Sequence, residues 1–339
     1  PLLRLMGTTK EILPSAVPYM KAYFTGMPGC LLYNYLAAIQ RSGGDTKHPL
    51  LFLAISGVAN VGLNILMVAG FKLGALGVGI ATSASQYIAA AAILIFMLRE
   101  EGCCRVTGFA LDGERLKKMV LIGLPAGLQG TLFSLSNVII QSSINAYGTY
   151  VVAGNAAGSN LDGFLYIAMN SVYTAALTFV GQNVGAGKYA RIKKISFLCV
   201  GLVTFIGVSL GVVLVVFGEK LLLIFATGEN KDAVVKAGMN RLLVMGTTYF
   251  LCGLMDVGCG IMRGMGKTIL PMIVSLVGSC LFRIVWIATV CPLFPGNILA
   301  LYISYPISWA LTAGVHLICL LVVRKKMNDQ LKEESRLVA

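Results

Sequence analysis

The sequence predicts an all-α polytopic membrane protein, and three observations predict it. Hydrophobic residues make up 57% of the chain, charged residues only 12%, and the apolar residues fall into long unbroken runs. A soluble domain carries about a quarter charged residues, so a mean hydropathy of +0.82 places this chain in lipid. The runs exclude a β-barrel, whose strands alternate apolar and polar residues over about ten positions.

A helix needs about 20 mostly apolar residues to cross the hydrocarbon. Nine segments meet that length: 15–39, 49–71, 75–98, 116–146, 151–180, 195–217, 237–262, 269–290 and 298–323. The 39 glycines suit helices that approach one another closely. The nine cysteines follow no zinc or disulfide spacing and read as small apolar filler, with Cys103 and Cys104 adjacent in a polar loop.

Taken in order, alternate segments are followed by positive charge. The first is followed by Arg41 and Lys47, the third by Arg99, Arg105, Arg115, Lys117 and Lys118, and the fifth by Lys188, Arg191, Lys193 and Lys194. Arg263 and Lys267 follow the seventh, and Arg324, Lys325 and Lys326 the ninth. The intervening connections hold Lys72 alone, no charge in 147–150, a balanced mixture in 219–236, and no charge in 292–297. The positive-inside rule then makes the first set of loops, and the C-terminus, cytoplasmic. The net charge of +13 reads as topology and contact with membrane lipid, with no nucleic-acid partner implied.

One of these loops, GQNVGAGKYARIKK at 181–194, carries a G-x-G-x-x-A spacing. A dinucleotide site would need a preceding strand and an acid about 20 residues on, and a Walker loop would need Ser or Thr where Tyr189 stands. Apolar helix precedes it instead, so its glycines serve a reversal and its basic residues orientation.

Two other loops resemble each other. CLLYNYLAAIQRSGGDTKHP, ending at Pro49, and CGLMDVGCGIMRGMGKTILP, ending at Pro271, share seven of 20 positions at an offset of 222. Upstream, MGTTKE (6–11) and TGENKD (227–232) match after a one-residue gap. A repeat of this period is one six-helix lobe of a transporter built from two related halves. The expected organisation is a three-helix remnant of the first lobe at 1–100, an inter-lobe linker at 101–115, a complete six-helix lobe at 116–323 and a basic tail at 324–339. About three helices are expected upstream of Pro1.

These residues resemble those of the multidrug and toxic compound extrusion (MATE) transporters. The resemblance rests on Gly181, Gln182, Asn183, Gly185, Gly187 and Arg191 after one helix, and on Arg263, Gly264, Gly266, Thr268 and Pro271 after another. The first lobe keeps Arg41, Gly44, Thr46 and Pro49, with Ser42 in place of a glycine. The resemblance implies twelve helices in two pseudo-symmetric lobes and alternating access. It implies export of small organic, often cationic, compounds across the plasma membrane by a monomer, driven by Na⁺ or H⁺ with no other cofactor.

Polar residues inside spans are costly and therefore informative. Ser134, Asn137, Gln141 and Asn145 share a helical face, as do Asp162, Tyr166 and Asn170, and the candidates for a substrate cavity are Asn34, Gln129, Ser134, Asn137, Gln141, Tyr166, Asn170 and Arg283. Segment eight carries Ser275, Ser279 and Arg283, and segment nine Ser308, Thr312 and His316. Such stripes serve either interhelical hydrogen bonds or a cavity. Among ionisable groups, Asp256, Asp162 and Arg283 stand deep. Asp256 and Asp162 are candidates for cation coupling, and Asp162 and Arg283 alternatively neutralise each other. His316 reads as a core histidine donating to a backbone carbonyl.

Two other functions compete. A lipid-linked saccharide flippase would need several basic residues at depth for a diphosphate, and only Arg283 is evident. A membrane-embedded enzyme would need a nucleophile with a base, or a metal cluster. The chain has two histidines, of which His48 lies in a loop.

Overall fold

The computed structural model describes residues 13–108, 110, 112–226 and 230–338. The upstream repeat match falls largely outside them, as do the side chains of Arg324 and Lys326 in the basic tail. The chain divides into two compact units, Pro1–Leu111 and Asp112–Ala339. All regular structure among the described residues is helical.

The first unit holds α1 (Leu13–Thr25), α2 (Met27–Ser42), α3 (Lys47–Ile65, prolonged by a π turn Leu66–Gly70) and α4 (Gly74–Arg99). Helix α4 packs against each of the other three. Tyr33, Leu36 and Ala37 of α2 meet Ala89, Ala90, Ile93 and Met97 of α4 in a small core.

The segment read as one span over 15–39 is two helices broken at Gly26. Pro28 explains the break. It has no N–H for the carbonyl four residues back, and its ring clashes there. The Gly26 amide closes a tight turn onto Tyr23 O at 3.1 Å. Eight helices among the described residues are long and apolar enough to cross a membrane, rather than nine.

The second unit begins with α5 (Gly113–Asn145), capped by Asp112, whose side chain accepts from the amides of Glu114 and Arg115. It continues with α6 (Thr149–Gly185), α7 (Ala190–Phe225) and α8 (Lys231–Gly264). Next come α9 (Ile269–Ser275), a π segment Leu276–Leu281, α10 (Phe282–Thr289), a short turn Cys291–Leu293, α11 (Ile298–Tyr302) and α12 (Ser304–Val338). Helix α8 is the centre, packed on α6, α7 and α12. Large apolar side chains such as Phe197, Phe205 and Val216 on α7 face outward, as lipid contact requires.

The repeated loops have the same local build. Gly44 and Gly266, partners at the 222 offset, adopt φ of +98° and +77°, a conformation that costs any side chain with a Cβ. Thr46 and Thr268 then occupy the N-cap positions of α3 and α9, and Pro49 and Pro271 are buried in the first turns. Gly264 shows a different demand. A Cβ there would lie 2.8 Å from Val180 Cβ and 2.9 Å from Leu177 O. Its partner Ser42 is exposed.

The 181–194 stretch differs from the expected turn. Helix α6 runs through Gly181, Gln182, Asn183 and Gly185, and only 186–189 reverse the chain. The helix closes with Gly187 at φ +68° and a hydrogen bond from Lys188 N to Asn183 O at 2.8 Å. Arg191 is exposed in the first turn of α7.

Candidate functional site

A cavity of 660 Å³ opens within the second unit, walled by α5, α6, α8, α10 and α12. Its position follows from the polar stripes. Gln129, Ser134, Asn137 and Gln141 reach it from α5, Tyr166 and Asn170 from α6, and Asp256 from α8. Arg283 reaches it from α10. Asn34 is not among them. It lies on α2 in the first unit, where its Nδ2 donates to Cys30 O at 2.9 Å.

The pairing of Asp162 with Arg283 does not occur. Asp162 is held by Arg241 of α8, whose Nε and Nη2 donate to Oδ2 at 2.9 and 2.8 Å. Both residues are buried, at 4% and 8% exposure. Arg241 also donates from Nη1 to Asn155 Oδ1 at 2.7 Å, which Tyr302 OH reaches at 3.3 Å. Asn155 donates onward to Gln141 Oε1, and Gln141 to Asn145 Oδ1. The network thus ties α5, α6, α8 and α11 together around one buried ion pair.

Arg241 and Asn155 were missed because both lie close to segment ends, where a polar residue reads as interfacial. The helical register carried the signal. Positions 241, 249, 252, 256, 259 and 263 recur at intervals of seven or eight, or of three or four, and all line the cavity.

Arg263, expected to be a loop residue, is built into the cavity wall. Its Nη1 donates to Tyr173 OH at 2.8 Å and its Nη2 to Gln129 Oε1 at 2.7 Å. Asp256 stands two turns before it on the same face. Among the described residues, no hydrogen bond or ion pair reaches the Asp256 carboxylate. Three arginines line the cavity where the sequence suggested one, though Asp162 neutralises Arg241.

The stripes on segments eight and nine meet as a ladder. Ser275 faces His316 Nε2 at 3.3 Å, Ser279 faces Thr312 at 3.4 Å, and Arg283 Nε donates to Ser308 Oγ at 2.9 Å. His316 Nδ1 lies 3.0 Å from Met255 O, so the histidine bridges three helices in the interior. No cluster of metal-binding side chains occurs among the described residues.

Comparison with known proteins gives one consistent result. A family model described as MatE matches residues 1–66 and 125–289. The probable multidrug resistance protein YpnP of Bacillus subtilis is 29% identical over 286 residues, which cover 83% of this chain and 63% of that protein. A solved MATE transporter of Vibrio cholerae superposes with a TM-score of 0.84 at 18% identity, covering 96% of this chain and 73% of that one. A MOP superfamily transporter from Pyrococcus furiosus superposes at 0.90 with 16% identity, again covering 96% and 73%. The chain therefore spans a little under two thirds of the length of YpnP.

Proposed function

This chain belongs to the MATE family, and we propose from that premise that it serves as the membrane-embedded body of a cation-coupled antiporter exporting small organic compounds. The protein would sit in the plasma membrane with its basic loops and C-terminus cytoplasmic. Coupling would use Na⁺ or H⁺, and the two lobes would alternate access to the substrate as a monomer.

The observation that carries the proposal is Asp256. Its carboxylate lines a 660 Å³ cavity and has no hydrogen-bond or ion-pair partner among the described residues. A structural aspartate at this depth would be held as Asp162 is held. An unbonded one is free to take and release a cation. Its repeat partner at the 222 offset is Asn34, so the shared fold does not require the acid.

Exchange of Asp256→Asn in the full-length transporter should leave expression and melting temperature within the wild-type range. Efflux driven by an imposed Na⁺ or H⁺ gradient should be abolished. Gradient-driven export at the wild-type rate would sink the assignment. The flippase reading gains less from the cavity than its three arginines suggest, since Arg241 is spent on Asp162 and Arg263 on Tyr173 and Gln129.

A further inference from the structure

Among the described residues, Arg283 is the cavity arginine with the fewest hydrogen-bond partners and no counter-ion. Arg241 has Asp162. Arg263 has two neutral acceptors and shares its helix face with Asp256. Arg283 is 5% exposed, lines the cavity, and has no acid within ion-pair distance among the described residues. Among the described residues its one hydrogen bond runs from Nε to the neutral hydroxyl of Ser308, and its buried Nη2 has no partner.

A guanidinium stays protonated in proteins, so this site cannot shed its charge. Removal from water without a counter-charge is costly, and a partner removes that cost. The surroundings say what kind of partner. The guanidinium carbon lies 4.2 Å from the Tyr305 ring centroid and 5.5 Å from that of Trp309, and both rings line the same cavity. Such rings steady the cation, but they provide no acceptor for Nη2. They do provide flat walls against which an aromatic solute can stack.

We propose that Arg283 is the anion-receiving end of this cavity, binding the carboxylate or phosphate of an aromatic organic solute that lies against the wall formed by Tyr305 and Trp309. The planar fork suits both groups bidentately. A cavity of 660 Å³ has room for a whole organic molecule as well as its charged group. The inference rests on the transport reading only in taking this solute as cargo. It widens that reading, because a cargo that meets Asp256 and Arg283 in one cavity need not be purely cationic.

The chain has two tryptophans, Trp286 and Trp309, so Trp286→Phe leaves Trp309 as the sole reporter beside Arg283. In detergent and chloride-free buffer, benzoate and phenyl phosphate should each change its emission saturably. Replacing Arg283 by Gln should weaken both by about tenfold or more, as for loss of a charge-assisted hydrogen bond. Should Arg283→Gln fold poorly, Ser308→Asp decides. It places a carboxylate against Arg283, and should block both anions while raising the melting temperature of the ligand-free protein.

Inorganic phosphate and chloride should bind far more weakly than the aromatic anions. If they bind as tightly, the site is an inorganic ion site and the proposal fails. No saturable response, or equal affinity in parent and Ser308→Asp, also overturns it. Binding is read without an ion gradient, so failure of Asp256-dependent efflux leaves this result standing, and the reverse holds.

Discussion

Arg241 and Asp162 show how one residue pair redistributes the chemistry of a whole cavity. Helical spacing alone put Asp162 on a face with Tyr166 and Asn170, and the nearest conspicuous cation was Arg283. What sequence spacing cannot give is which helix faces which. Asp162 lies on α6, whose main neighbour is α8, so its partner is a residue of α8. Replacing Asp162 by Asn should leave Arg241 uncompensated at a cost of about 3–5 kcal/mol, seen as a lower melting temperature and poor monodisperse yield. The double change Asp162→Leu with Arg241→Met should recover most of that loss, because an apolar pair of similar volume needs no desolvation. A double variant as unstable as the single would show that Asn155 and Tyr302, rather than the charges, hold the site. Asp256 contrasts with this pair. Its candidacy was readable from depth and register on one helix, which is local information.

Among elements, the long helices α5 to α8 were legible because an apolar run of over 20 residues has few other solutions in lipid. Their ends were not. Helix α6 extends to Gly185, five residues beyond its predicted span, because backbone hydrogen bonds continue after the hydrocarbon stops. The break at Gly26 was missed for the opposite reason, since hydropathy is blind to the N–H that Pro28 lacks. The repeated turn is better specified. Gly266 adopts a left-handed φ with nothing within 4 Å of an added Cβ, so only the backbone objects to a side chain there. Gly266→Val should cost about 1–2 kcal/mol, and Gly266→Asn clearly less, as Asn tolerates this region. Gly264→Val should be worse than either, because Val180 and Leu177 already fill the space. Equal melting temperatures for the three variants would refute this division between turn and packing glycines.

On the scale of the whole molecule, the sequence repeat and the alternation of charge were readable from the chain alone, and together they propose one orientation in the membrane. The connection after α4 tests it, since five Lys and Arg flank or occupy it (Arg99, Arg105, Arg115, Lys117 and Lys118) and it holds two adjacent cysteines. The two thiols differ. Cys103 is exposed, whereas Cys104 is partly buried, its Sγ 3.7 Å from Ile39 O. Burial pushes the Cys104 thiol above its ordinary range, with the neighbouring Cys103, Glu100 and Asp45 adding to the shift. The thiolate is the reactive form, so Cys103 should react with a maleimide well before Cys104. An impermeant maleimide should leave both unlabelled in intact cells and label Cys103 first in inverted vesicles, as mass spectrometry of the loop peptide would report. The Cys103→Ser variant should lose the fast phase and keep the slow one. Fast labelling of Cys103 in intact cells would invert the orientation.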